Sequence, residues 1–457
     1  MLVRKLAWAA MLVVSFQAVI QEGMRAQQQP TVPPATALSL DELEAMALEN
    51  NPTLRQAAAE VVAASGRREQ AGLLPNPRVG YTGEEIRGGS LRGGQHGFFI
   101  EQDIVLGGKL GLGRRVFEQE IRMAEIESEE QRLRVLNAVR LGYFQVLTSQ
   151  ETIAKLREMA RIASENAETS TRLRNIGQAD ETEVLQAEIE SQQAELAIVR
   201  EETRLGHLWK ALAAVVGIPE LPPSSLEGEL DENLPDLDEQ SLVSALLNES
   251  PAIRIAQANV ARAEAQLGRE RGQAVPDLLL RGGLQQNREL LESTQRATGL
   301  QGFAEIGIQI PIFNRNQGSV QAANAARERA EQEKARVQLV LRERAAATIQ
   351  QYRYARARVD RYRTEILPRA QRAHELMLSR WGQMAASYPQ VLAAQRTLSQ
   401  SQTDYISALG DLRESALTLE GFLLVDGLEA PARPGEVDLP VRETNIPTPR
   451  GIPGTRD

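Results

Sequence analysis

No proline occurs between Pro77 and Pro219, and that absence constrains the chain more than any motif in it. Proline ends or kinks helix interiors, because it has no N–H to donate and its ring strikes the carbonyl four residues back. Within this stretch apolar or small residues recur at steps of three and four: Leu136, Val139, Tyr143, Val146, then Ile153, Leu156, Ala160, Ala163 and Ala167. The spacing predicts one helix over about 109–174, roughly 95 to 100 Å long at about 1.5 Å per residue. A globular bundle has no use for a helix of that length.

The same plan occurs twice. "ALENNPTLRQAAAEVVAASGRREQAGLLPNPRVGYTG" (47–83) aligns with "LLNESPAIRIAQANVARAEAQLGRERGQAVPDLLLRGG" (246–283), with Pro52 on Pro251 and Pro77 on Pro276 at an offset of 199. Further along the offset becomes 207: Gln102 falls on Gln309, Val105 on Ile312, Leu106 on Phe313, Gly111 on Gly318, and "EVLQAE" (183–188) on "QVLAAQ" (390–395). The second copy therefore carries eight extra residues between about 84 and 97 of the first-copy frame, which predicts an exposed loop there.

Each copy reads as a helix (about 40–74; 239–274), two strands (78–86 and 97–106; 277–287 and 303–313), the long helix (109–174; 317–380), a glycine-containing tip, and a return helix (180–216; 387–424). Pro368 should kink or locally unwind the second long helix. Two short helices end to end match one long helix, so each copy gives one continuous and one broken stave of a tall wall. The expected segments are a signal peptide at 1–26 and a linker at 27–37. The first repeat follows at 38–216 (hairpin 78–106, helical hairpin 109–216), then a connector at 217–238, expected to carry a small strand or helix. The second repeat covers 239–425 (hairpin 277–313, helical hairpin 317–424), and a proline-rich disordered tail covers 426–457.

Composition narrows the function classes. Aromatic residues make up 4% of the chain, which is low for a compact enzyme of 457 residues, while a formal charge of −9 argues against nucleic acid as a partner. There is no cysteine, and His96, His207 and His374 lie far apart in sequence, so no histidine-thiolate metal site is possible. His96 falls in an expected loop, His374 on the long helix, and His207 reads as an ordinary packed histidine beside Leu205 and Trp209. Arg4 and Lys5 followed by the apolar "LAWAAMLVVSFQAVI" (6–20) and "AQQQP" read as an export signal cleaved near Ala26. The apolar run is short of the ~20 residues of a membrane anchor.

The strands alternate. Ile306, Ile308, Ile310 and Ile312 oppose Gly307, Gln309 and Pro311, and Phe98, Ile100, Ile104 and Leu106 oppose Glu101 and Asp103. Alternation alone fits a soluble sheet packed on a helix as well as a membrane barrel; export without a helical span favours the barrel. Four strands cannot close one, because about eight is the practical minimum and open edges are not tolerated in lipid. The barrel must then be shared between chains.

A duplicated chain carrying "NNPTLRQA", "LPNPRV", "LGGKLGLGRR", "IPIFNRNQG", "NIGQADETEVLQAE" and "QVLAAQ" resembles the TolC-like outer-membrane factors over roughly 38–425. It looks most like the subgroup serving heavy-metal cation efflux (CzcC/CusC-type). The resemblance implies a mainly α fold with a small transmembrane β part. Three protomers would share one twelve-stranded barrel, continued by a helical tunnel through the periplasm. It implies a homotrimer set in outer-membrane lipid, partnered by a periplasmic adaptor and an inner-membrane transporter of the resistance-nodulation-division class. It implies no catalysis, cofactor or resident metal, and leaves drug efflux or type I secretion as alternative cargoes.

Candidate residues follow. Gly107 and Gly108 permit the strand-to-helix turn, Asn314 is expected to cap the second long helix, and Pro77, Pro276 and Pro311 mark the other transitions. In the family the helical tips form the periplasmic mouth. Here Asp180, Glu181 and Glu183 make the first tip acidic, as a pore-entrance ring for cations or simply as acids favourable to a helix N-terminus. Where the resemblance would place gate acids, Gln390 and Ala393 stand instead. Leu173, Ile176, Gly177, Trp381 and Gly382 are the candidates for adaptor contact. A periplasmic adaptor, the closest rival, should carry one helical hairpin in a β-rich body, whereas two are predicted here. A plain exported coiled coil would lack the paired strands, and no nucleophile elbow, phosphate loop or metal spacing supports an enzyme.

Overall fold

The computed structural model describes residues 37–86, 94–290 and 297–431; the expected signal peptide and most of the tail lie outside them. Helices α1 (Leu40–Asn50) and α2 (Pro52–Ala71) lead into strands β1 (Arg78–Glu84) and β2 (Gln95–Ile104). Helix α3 (Lys109–Asn175) follows, and α4 (Glu181–Val216) returns beside it. The second copy repeats this order as α5 (Glu239–Glu249), α6 (Pro251–Gly272), β3 (Leu278–Leu290), β4 (Ala297–Ile308), α7 (Gln317–Arg361), a π-turn (Tyr362–Ile366), α8 (Leu367–Gly382) and α9 (Tyr388–Glu420).

Helix α3 runs for 67 residues, about 100 Å. It packs against α2 and α6 in the half nearer the sheet and against α4 and α9 in the other half. Helix α7 closes the row by packing on α6 and α9. The result is a wall with free outer faces on α2 and α4 at one edge and on α7 and α8 at the other. Among the described residues, no helix is long and apolar enough to cross a membrane.

Each expected first helix of a repeat is in fact two. Pro52 and Pro251 start new helices, with Asn51 and Ser250 as side-chain caps accepting from Thr53 N–H and Ile253 N–H. The residue before a proline is pushed out of the α region, and Asn51 at φ −67°, ψ 121° is extended. The expected break at Pro368 takes a specific form. The π-turn over Tyr362–Ile366 inserts the extra residue that a ring without an N–H, clashing four residues back, demands.

The eight extra residues of the second copy do not form a longer loop. They lengthen β3 to 13 and β4 to 12 residues against 7 and 10 for β1 and β2, because their backbone groups find ladder partners. In the other direction β4 stops at Ile308 rather than 313. Its partner β3 begins at Leu278, opposite Ile308, so residues beyond have no strand within the chain to bond. Ile310, Ile312 and Phe313 are accordingly exposed. His96 sits within β2, where its Nδ1 meets the Tyr81 hydroxyl, and not in a loop.

The sheet has the order β1-β2-β3-β4, antiparallel throughout. One face carries Val79, Tyr81, Phe98, Ile100, Leu284 and Ile306, all 55 to 75% exposed. The other face carries the charged side chains beside the Phe99 and Phe303 rings, and one row of it runs Arg78, Glu101, Arg281, Glu305 across the four strands.

The core gathers at mid-height, where Leu43, Val139, Val146, Trp209, Leu412 and Leu341 pack together. Here the connector 217–238 is tied to the wall through its backbone. Trp209 Nε1 donates to Leu221 O at 2.9 Å, and Gln150 brackets Ser224 O and Leu226 N at 2.9 and 3.1 Å. Tyr352 Oη donates to Pro235 O, and Arg413 donates to Leu230 O and Asn233 O. The connector has no helix or strand of its own, only one parallel bridge between Leu38 and Leu226. The start of the expected disordered tail is also held: Gln131 Nε2 donates to Glu429 O at 3.1 Å, and Arg134 pairs with Glu429. His207 is exposed on α4, because its turn of the helix faces away from the Trp209 side.

Candidate functional site

At the far end from the sheet, the two helical hairpins turn by the same backbone device. After α3, Gly177 at φ +76° takes the left-handed position, its N–H donating to Arg174 O (2.9 Å) and Gln178 N–H to Leu173 O (2.8 Å). This is the Schellman closure that glycine makes at little cost. After α8, Met384 N–H donates to Trp381 O (2.9 Å) and Ala385 N–H to Arg380 O (2.8 Å) in the same pattern. The left-handed residue is now Met384 at φ +57°, and its side chain is 97% exposed. A bulky residue held left-handed stores strain of a kind that collects at functional sites. Sequence reasoning named Trp381 and Gly382 but missed Met384; the repeat offset that lays Gly177 on it was the available signal.

The other apolar candidates differ in character. Ile176 is 68% exposed at the first turn, while Leu173 is half-buried within α3. Trp381 lies 5.4 Å from the Tyr388 ring, whose hydroxyl donates to Asn166 Oδ1 at 2.7 Å and so links the two hairpins. A bidentate pair from Arg396 to Glu190, at 3.0 and 2.8 Å, makes a second link. Gly382 ends α8 with open space beside it.

The three acids have separate surroundings. Asp180 caps α4, accepting from Glu183 N–H at 2.9 Å and from the Thr182 hydroxyl. The Thr182 bond first, then the Glu183 N–H, hold its carboxyl below the usual aspartate value, so it is ionised at neutral pH. Glu181 reaches back over the turn to Arg174 at 3.0 Å. Glu183 is half-buried in the first turn of α4. Gln390, in the place of a gate acid, closes a capping box with Ser387 at the start of α9.

At the opposite end the hinges join strand to helix. Gly107 and Gly108 have φ of +68° and +67°. A Cβ on Gly107 would come within 2.7 Å of Val275. Asp277, next to Pro276, pins the junction by accepting from Leu106 N–H (3.0 Å) and Lys109 Nζ (2.8 Å). Pro77 precedes β1 and Pro311 follows β4. Asn314 does not cap α7: the helix starts at Gln317, and Asn316, left-handed at φ +60°, occupies the cap position. Asn314 Oδ1 instead accepts from Asn316 N–H at 3.0 Å, and the Asn316 amide donates to Glu270 O and Oε2 at 2.9 and 2.8 Å. Among the described residues no group of His, Asp or Glu is arranged to hold a metal ion.

Known proteins share this layout. The chain is 27% identical over 408 residues to the cobalt-zinc-cadmium resistance protein CzcC of Cupriavidus metallidurans, covering 89% of this chain and 95% of that protein. A crystal structure of CusC superposes with a TM-score of 0.70 at 18% identity, covering 87% of this chain and 96% of the other. The open state of the MtrE outer membrane channel of Neisseria gonorrhoeae gives 0.68 at 19% identity, covering 86% and 90%. The outer membrane efflux protein pattern matches residues 43–218 and 242–423, the two repeats on either side of the connector. The chain thus belongs to the outer membrane efflux protein family, a family of passive ducts and not of enzymes.

Proposed function

We propose that this chain is the outer-membrane exit duct of a tripartite pump and that its cargo is heavy-metal cations. The observation that carries the cargo is the 27% identity to a cobalt-zinc-cadmium resistance protein along nearly the whole of both chains. Three copies close a barrel of twelve strands, with the exposed apolar face of the sheet turned to lipid and the charged face to the lumen. The helical wall continues the duct into the periplasm, and an inner-membrane transporter of the resistance-nodulation-division class loads it through a periplasmic adaptor. Ile176, Gly177, Trp381, Gly382 and Met384 form the adaptor contact at the tips, with Leu173 supporting it from within α3. Asp180, Glu181 and Glu183, repeated threefold, favour cations at the mouth.

The cargo is tested by deleting the gene and restoring it on a plasmid. The deletion strain should lose tolerance of cobalt, zinc or cadmium salts, and the plasmid should return it. Unchanged metal tolerance together with new sensitivity to organic compounds would assign the duct to drug efflux. Neutralising Asp180, Glu181 and Glu183 together should lower the cation preference of the channel in planar bilayers; an unchanged preference would remove those acids from the mechanism.

A further inference from the structure

We propose that Arg281 sets the ionic preference of the barrel segment, by offsetting part of a carboxylate-rich inner belt that draws inorganic cations. The proposal rests on the reading of the chain as one third of a membrane duct. On the charged face of the sheet the described residues place Glu84, Glu101, Asp103 and Glu305 against only two guanidiniums, Arg78 and Arg281. Arg78 sits on the edge strand and reaches Glu101 at 3.3 Å and Asp103 at 3.1 Å. Arg281 lies in the interior of the sheet, within 4.0 Å of Glu101 and 3.7 Å of Glu305.

Arg281 is also held in place by rings. Its guanidinium carbon is 4.2 Å from the Phe99 ring centroid and 5.9 Å from that of Phe303. The two rings lie in a neighbouring row that reads Gly80, Phe99, Gly283, Phe303 across the strands. They occupy the space that a Cβ on Gly80 or Gly283 would need, at 2.5 and 2.8 Å. The glycines thus make room for the rings, and the rings give a planar cation a fixed platform between two carboxylates. Repeated threefold, the belt keeps an excess of negative charge facing the lumen, and Arg281 limits it. Screening fixes the conditions under which this matters: the Debye length is about 10 Å at 0.1 M salt and about 30 Å at 0.01 M. The belt therefore reaches across the lumen only in dilute electrolyte.

The test uses the full-length protein, purified from membranes, confirmed as an oligomer and inserted in planar bilayers. The reversal potential is read across a tenfold KCl gradient below about 0.1 M. The wild type should prefer potassium. R281Q should raise the potassium-to-chloride permeability ratio by roughly twofold or more, and E101Q/E305Q should lower it by a similar factor. R281K, which keeps the charge and loses the stacking, should match the wild type. Reversal potentials unmoved by both R281Q and E101Q/E305Q would overturn the proposal, as would R281K behaving like R281Q. If R281Q fails to assemble, E305Q alone on β4 tests the same belt through the opposite change: it should lower the ratio, and an unchanged ratio refutes the proposal. A wild type that assembles but passes no current contradicts the duct itself, a different failure from a conducting channel indifferent to its belt.

Discussion

Glu127 lies 5% exposed in α3, and neither of its carboxyl oxygens accepts a hydrogen bond. Seven positions earlier, Glu120 is buried to a similar degree but is braced by Arg67 at 3.7 Å and Arg262 at 3.0 Å. Burial, reinforced by Glu130 and Glu60, pushes the Glu127 carboxyl up from 4.5 to about 8. The folded chain then keeps a proton that the unfolded chain releases near 4.5, so stability falls as pH rises from there to about 8. Glu127→Gln should remove this slope and raise the unfolding temperature near pH 8, a gain on the order of 3 kcal/mol. Parallel pH profiles for variant and wild type would contradict it. Met384 offers a second case of local cost. Met384→Gly should relieve about 1 kcal/mol of left-handed strain and slow amide exchange in the second tip. Equal exchange rates would show the turn to be unstrained. Glu127 was not legible in the sequence, because an acid at a helical position reads as solvated; the backbone angle of Met384 was legible only through the repeat offset that lays Gly177 on it.

At the scale of elements, the helices were legible where a periodic pattern ran unbroken, as in α3, whose ends at Lys109 and Asn175 agree with the expected 109–174. They were misread where the pattern crossed a proline without losing its period, since the apolar spacing continues through Asn51–Pro52 and Ser250–Pro251 while the backbone does not. Strand β4 shows the converse. The isoleucine alternation runs to Ile312, but pairing is a property of two strands, and β3 supplies no partner past Leu278. The cap at Asn51 is the element junction most open to test. Its side chain accepts from Thr53 N–H at 2.9 Å and donates to Val215 O at 2.7 Å, and the residue is 1% exposed. Asn51→Ala should cost about 2 kcal/mol, seen as a lower unfolding temperature with conductance per assembled channel unchanged. An unaltered unfolding temperature would mean that the break between α1 and α2 contributes nothing to stability.

For the whole molecule, one chain is an open structure. Its sheet has two edge strands, β1 and β4, and its apolar face is exposed. The free face of α4 carries Leu185, Ile189, Leu196 and Val199, each 48 to 68% exposed. Apolar surface and unpaired edges on this scale call for partners of the same kind, and a closed ring of copies satisfies every edge at once. The need for several chains was legible in the sequence, because four strands are too few for a barrel; which faces meet was not, because both edges of the helical wall look alike in periodicity. The most direct test of the account is the mass of the native protein in detergent, extracted from a fractionated cell envelope. The expected mass is that of a trimer, three times the mature chain, recovered with the outer membrane. A monomer in the soluble periplasmic fraction would contradict it.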